Sequence, residues 1–139
     1  GSLWLGAEEG LVRYDGGTWS TPEAWGDPPE YVYDITEAID GSLWVAADGD
    51  LGHLADGRWS TNAWPSDGWL DTLATGPDGS IWAGGDDGLG HFDPASGDWQ
   101  MFTTADGLVH SRVQAIHVTP EGVVWVGTDG GVSRHVPPD

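Results

Sequence analysis

The sequence predicts an all-β fold built from small repeated sheets, and three observations carry that prediction. Ten Trp stand against a single Met in 139 residues. The 23 Gly and 9 Pro are a density of turn formers that helix interiors do not tolerate. One segment also recurs four times: Gly1-Ser2-Leu3-Trp4, Gly41-Ser42-Leu43-Trp44, Gly79-Ser80-Ile81-Trp82 and Gly122-Val123-Val124-Trp125, with Trp spacings of 40, 38 and 43.

The elements of one cycle follow in order. Each repeated Trp opens a short extended run and is followed by an acid four residues later: Glu8, Asp48, Asp86 and Asp129. A Gly-containing turn then leads to Leu11, Leu51, Leu89 or Val132 and on to Arg13-Tyr14, His53-Leu54, His91-Phe92 or Arg134-His135. The next turn (Asp15-Gly16-Gly17, Asp56-Gly57 or Ser96-Gly97-Asp98) precedes a second repeated aromatic, Trp19, Trp59 or Trp99. Three apolar stretches, Val32 to Ile35, Leu70 to Leu73 and Val113 to Val118, complete the cycle, and each ends at an acid-Gly turn. In chain order from these stretches, the four segments are designated A, B (Trp44 type), C (His53 type) and D (Trp59 type).

Four short antiparallel strands per cycle is the pattern of a β-propeller blade. One such sheet has two apolar faces and cannot bury both, so stacking sheets around an axis supplies the core. Trp4, Trp44, Trp82 and Trp125, with Trp19, Trp59 and Trp99, are therefore expected as structural core. The blade repeats run approximately over 1–30, 31–68, 69–108 and 109–139 of a single propeller segment. The strand order B-C-D, A-B-C-D, A-B-C-D, A-B-C gives 14 strands, about 3.5 four-stranded blades. Closed propellers hold about 4–8 blades, so the ring is expected to be completed by oligomerisation, most simply a homodimer, or by a larger propeller of which this is part. Beginning and ending mid-blade at nearly the same repeat position is also the mark of an excised or engineered segment.

Residues 119–132, TPEGVVWVGTDGGV, resemble the two-component regulator propeller repeat, as does Thr103-Thr104-Ala105-Asp106-Gly107-Leu108 on the way into the last A strand. The resemblance implies a propeller of the kind found in extracytoplasmic (periplasmic or extracellular) sensor regions of bacterial signalling proteins, often binding saccharides. Residues 76–85, GPDGSIWAGG, with 91–97, HFDPASG, are similar to streptogramin lyase propeller repeats. That resemblance implies an enzyme using His and metal-assisted acid/base chemistry, but no His-x-Glu signature maps onto such a site, so no catalytic residue is carried over.

Composition narrows the partners. The net charge is −19, with 23 acids, four Arg and no Lys, which excludes the basic footprint that nucleic acid or an anionic membrane demands. The same charge fits a heavily solvated, salt-adapted surface or cation binding. Cys is absent, so disulfides say nothing of the redox compartment. No cofactor and no metal is expected: Asp48-Gly49-Asp50 is only a piece of a calcium loop, and of the His at 53, 91, 110, 117 and 135, His53 and His91 hold equivalent places that Arg13 and Arg134 fill in the other cycles, which suggests structural pairing. No phosphate-cradling Gly loop or nucleophile elbow is present.

In a propeller the D–A and B–C connections share one face around the channel mouth. The D–A connections carry Trp25 and Tyr31, then Trp64 and Trp69, then His110 and Arg112, while the B–C turns carry Glu8, Asp48, Asp86 and Asp129. These residues are the ligand-binding candidates. Indole faces stack on the C–H face of a sugar while its hydroxyls donate to carboxylates, and the same rings could hold a cation. The competing reading has these aromatics capping the core or packing on Pro28, Pro29 and Pro65. The sequence thus predicts a non-catalytic binding or sensor module for a small carbohydrate, against a lyase-like enzyme or a self-assembling structural scaffold.

Overall fold

A computed structural model describes residues 2–8, 10–21 and 29–137. Its 14 strands form four antiparallel sheets in chain order. The first sheet holds β1 (Leu3–Ala7), β2 (Gly10–Asp15) and β3 (Thr18–Ser20); the second β4 (Val32–Glu37), β5 (Leu43–Ala47), β6 (Asp50–Ala55) and β7 (Arg58–Asn62). The third holds β8 (Leu70–Thr75), β9 (Ile81–Gly85), β10 (Gly88–Asp93) and β11 (Asp98–Phe102); the fourth β12 (Val113–Val118), β13 (Val124–Thr128) and β14 (Gly131–His135). Every sheet pairs its strands in sequence order, and the ring is not closed.

The local chemistry explains the hairpins. Ala47 pairs with Asp50 across a two-residue loop in which Asp48 (φ 52°) and Gly49 (φ 88°) both take positive φ. That is the type I′ geometry whose twist matches a hairpin, and Asp and Gly are the residues that adopt it most readily. The connection from β11 to β12 contains a 3₁₀ turn, Thr104–Asp106. Its start is closed by the Thr103 hydroxyl on Ala105 N–H and by Asp106 on Thr103 N–H.

Strand periodicity divides the side chains between two faces. In β5, Leu43, Val45 and Ala47 face the first sheet, packing with Leu11 and Trp4, while Trp44 and Ala46 face the third. Ile81 and Ala83 meet Trp44 and Leu51 in the same way, and Val124 and Val126 meet Trp82 and Leu89. Each interface is therefore one Trp and one Leu from a sheet set against aliphatic residues of the next.

The Trp residues follow this rule with two departures from the expected core. Trp44 and Trp82 are each 4% exposed, and Trp4, Trp59 and Trp99 are partly buried at the interfaces. Trp125 is 42% exposed and Trp19 57%. Trp125 is in the register of Trp82 but faces outward from the fourth sheet, with no sheet beyond it among the described residues. Trp19 holds the place of Trp59, on the side of the first sheet that no other sheet covers among the described residues.

Polar groups also link neighbouring sheets. Leu73 N–H and the Thr72 hydroxyl donate to one oxygen of Asp34 at 2.7 and 3.2 Å, joining β4 to β8. The Thr36 and Thr75 hydroxyls share a hydrogen bond of 2.8 Å a turn further along.

At the A–B turn end, Ser42 donates to Asp40 at 2.6 Å and accepts from His53 Nε2 at 2.9 Å, while the His53 ring stacks on Trp44 at 3.8 Å and 7°. The third sheet repeats the arrangement in Ser80 and Asp78 (2.5 Å), with His91 tilted on Trp82 at 4.4 Å. In the first and fourth sheets Arg takes the His place, with Arg13 over Trp4 and Arg134 over Trp125 at 5.8 and 5.6 Å. The His, Ser and Asp side chains here are spent on each other and on the Trp core.

This network sets an acid limit. Desolvation holds the His53 pKa below its usual 6.5, against the opposing pull of Asp40. Desolvation, with repulsion from His91, does the same to His135. The unfolded chain therefore binds protons that the folded chain resists, and stability is lost as pH falls below about 6.5. The Ser42 and Ser80 hydrogen bonds lower the pKa of Asp40 and Asp78, so a second loss begins as pH falls below about 3.9. Urea midpoints measured between about pH 8 and about pH 5.5, above the carboxylate range, are expected to fall with acidification as the His range is crossed. A midpoint flat over that interval would contradict this assignment.

Candidate functional site

The three complete A strands share one irregularity. Register with the B strand slips between Val32 and Asp34, between Leu70 and Thr72, and between Val113 and Ala115. The unpaired residues are Tyr33, Asp71 and Gln114. A bulge re-aims its side chain and bends the strand, and all three lie at the B–C turn end of their sheets. The sequence carries a signal for them: each A strand reads apolar, x, x, apolar (Val32/Ile35, Leu70/Leu73, Val113/Ile116), a spacing that regular alternation does not allow.

One residue before each of these A strands stand Tyr31, Trp69 and Arg112, and the B–C acids fix their backbones. Tyr31 N–H and Glu30 N–H donate to the Asp48 carboxylate at 2.8 and 3.1 Å, while Asp48 N–H returns a bond to Tyr31 C=O at 3.0 Å. Trp69 N–H donates to the Asp86 carboxylate at 3.4 Å, and Trp69 C=O accepts from Asp86 N–H at 3.2 Å. Asp129 N–H donates to Arg112 C=O at 3.2 Å. D–A and B–C connections therefore do meet at one end of the sheets. Asp48 and Asp86, predicted to face a ligand, act first as clamps on the entry to the A strand of their own sheet.

The side chains form a continuous surface across three sheets. Tyr31, Tyr33 and Trp69 are each about half exposed, with the Tyr33 and Trp69 rings edge to face at 6.1 Å. Trp69 leans over the neighbouring hairpin, its ring edge 3.4 Å from where a Cβ on Gly49 would stand. Arg112 Nε lies 4.0 Å from Asp86 and 3.8 Å from Asp129, and Gln114 Nε2 donates to Asp129. His110 Nδ1 accepts from Arg112 N–H at 3.1 Å. Burial, with repulsion from Asp86, raises the Asp71 pKa against the pull of Arg112.

One candidate does not join this surface. Trp64 is buried, edge to face with Trp99 at 5.2 Å, its backbone N–H held by Asp50 at 2.9 Å. It fills the core over Gly90, where the absent side chain leaves room for both Trp rings. Trp64 thus packs a loop onto the core, the competing reading of the surplus aromatics. Glu8 is exposed in the first B–C turn, and Trp25 lies outside the described residues. Conversely, Tyr33, Asp71 and Gln114 were not among the sequence candidates. Among the described residues no three His, Asp or Glu side chains converge as a metal site requires.

The arrangement defines an open β-propeller segment with a polar and aromatic surface at the channel-mouth end of its sheets. Residues 107–130 match the two component regulator propeller family. No curated protein matches the chain. Among solved structures it is similar to the extracellular domain of a protein described as a hybrid two component system of B. thetaiotaomicron, at 24% identity and TM-score 0.83, covering 99% of this chain and 19% of that one. The WD40 propeller domain of Doa1 superposes at TM-score 0.80 and 16% identity, covering 96% and 45%. A virginiamycin B lyase of Staphylococcus aureus superposes at TM-score 0.72 and 19% identity, covering 100% and 53%. The chain thus spans between about a fifth and about half of the length of these neighbours, and the likeness shows the fold. Among the described residues no helix is long and apolar enough to cross a membrane.

Proposed function

We propose that this chain is a non-catalytic binding or sensor module that takes a carbohydrate at the bulged end of its sheets. The observation that carries the reading is the surface itself. Three half-exposed rings, Tyr31, Tyr33 and Trp69, sit beside Asp71, Arg112 and Gln114, with the backbones of Tyr31 and Trp69 clamped by Asp48 and Asp86. Rings supply flat apolar faces for sugar C–H groups, and the carboxylate, amide and guanidinium groups accept from and donate to hydroxyls. Placement outside the cytoplasm, in a bacterial regulator, is supported by the extracellular domains among its structural neighbours.

Titration with a panel of neutral oligosaccharides is expected to change Trp fluorescence saturably. Trp69→Ala is expected to weaken the binding about 10- to 100-fold, the loss of one buried aromatic contact. Trp19→Ala, remote from the surface, is expected to leave affinity unchanged. Absence of saturable change across the panel, or equal affinity in Trp69→Ala, would refute the proposal.

A further inference from the structure

We infer that the bulged surface selects amino sugars, the ammonium group of a glucosamine-type unit binding beside Asp71 while its ring lies against Trp69 and Tyr33. This rests on the carbohydrate reading and narrows it to one class of sugar.

Asp71 stands in the middle of the surface. β8 runs between β4 and β12, so Tyr33 and Gln114 hold the corresponding bulge positions on either side of it, and Trp69 precedes it by two residues. Its surroundings are thus set by sheets that are all described, and not by what lies beyond the first or the fourth.

The acids here differ in what they already hold. The two oxygens of Asp48 accept from the backbone N–H groups of Glu30 and Tyr31. Asp86 accepts from Trp69 N–H and lies 4.0 Å from Arg112 Nε. Asp129 accepts from Gln114 Nε2 and lies 3.8 Å from Arg112 Nε. Asp71 is half-buried, yet among the described residues its carboxylate accepts no hydrogen bond. Burial and the Asp86 charge both work against its ionised form, and Arg112 offsets them only in part. A carboxylate in that position gains most from a ligand that brings charge and donors together. An ammonium group brings a positive charge and three N–H donors, whereas a sugar hydroxyl brings one donor and no charge.

The balance of charge disfavours the opposite class. Asp71, Asp86 and Asp129 share Arg112, and the other three Arg lie toward the A–B and C–D turn end of their sheets. The chain has no Lys, so a uronate or sulfate group would meet surplus negative charge here. The rings agree with a cation as well, since the face of Trp or Tyr attracts an ammonium group, and Tyr33 and Trp69 are both half exposed.

The test is calorimetric titration at about 0.15 M salt, where screening leaves chiefly the nearest charges of the −19 chain to act. The pH is about 6, at which a sugar amine is protonated. The probes are a glucosamine disaccharide, its N-acetylated form and a digalacturonate. The amine is expected to bind about 5- to 20-fold more tightly than the N-acetylated form, the effect of one half-exposed charge pair with its hydrogen bonds. The digalacturonate is expected to bind more weakly than either. This order in the parent chain tests the inference without any variant. Asp71→Asn is expected to bring the affinities for amine and N-acetylated sugar level. Asp98→Asn, which removes an exposed charge at the far end of the third sheet, is expected to leave their ratio unchanged. An N-acetylated sugar that binds as tightly as the amine would overturn the inference and leave the carbohydrate reading standing. So would a preference that survives Asp71→Asn, or one that falls equally in Asp98→Asn. Absence of binding by all three sugars would remove the carbohydrate reading and this inference together.

Discussion

Trp82→Ala is expected to lower the unfolding free energy by about 3–5 kcal/mol, the range for deleting a large buried aromatic. The Trp82 ring contacts Phe102 at 5.9 Å and His135 at 5.5 Å, and it packs in a cluster with Leu89, Leu108, Val113, Val124 and Val126. The cavity it leaves lies between two sheets held apart by their own strands, so collapse can refill little of it. Trp125→Ala is chemically the same change at the matching repeat position, yet it is expected to cost only about 1–2 kcal/mol, because the ring is 42% exposed and packs against no neighbouring sheet among the described residues. Urea unfolding at low salt, followed by near-ultraviolet circular dichroism, measures both. Equal losses would mean that the fourth sheet is covered after all.

The second large effect concerns Asp34, whose carboxylate takes Ile35 N–H at 2.9 Å, Leu73 N–H at 2.7 Å and the Thr72 hydroxyl at 3.2 Å. Hydrogen bonds to a charged acceptor contribute more than neutral ones, and an orphaned donor beneath an interface carries the cost of its own desolvation. Thr72 and Leu73 are both buried. Asp34→Ala is therefore expected to destabilise by about 2–4 kcal/mol. Asp34→Asn, which keeps an acceptor oxygen in the same place, should recover part of that loss. Amide exchange at Leu73 reports the local break, expected fast in Asp34→Ala and slow in the parent chain. An unchanged exchange rate there would show that the cross-sheet link contributes nothing.

The strand order was legible because the forces that set it are local. Trp4, Trp44, Trp82 and Trp125 mark the same register in four sheets, and turns such as Asp48-Gly49 and Asp56-Gly57 have one preferred geometry. Burial was less legible, since it depends on what lies beyond a sheet. Trp82 and Trp125 are alike in sequence context and differ only in having a neighbour. The site was partly legible. Tyr31, Trp69 and Arg112 fall where the repeat puts them, but Asp48 and Asp86 serve the backbone entering the A strand of their own sheet before any ligand. Trp64 looked like a surplus aromatic of the mouth, and the small Gly90 draws it into the core instead. Tyr33, Asp71 and Gln114 escaped notice because a bulge is a departure from alternation, visible only when three copies depart at the same place.

Function in such an architecture depends on the difference between rings that make the fold and rings that meet solvent. Both kinds are Trp here, and they are distinguished only by which sheet stands next to them. Hydroxyl-radical footprinting, read at each Trp at low salt, measures that difference directly. The structure predicts oxidation at Trp19, Trp69 and Trp125, with Trp44, Trp64 and Trp82 protected. If Trp44 and Trp82 oxidise as fast as Trp69, the sheets are not stacked face to face, and the description of this chain as a run of propeller blades is wrong.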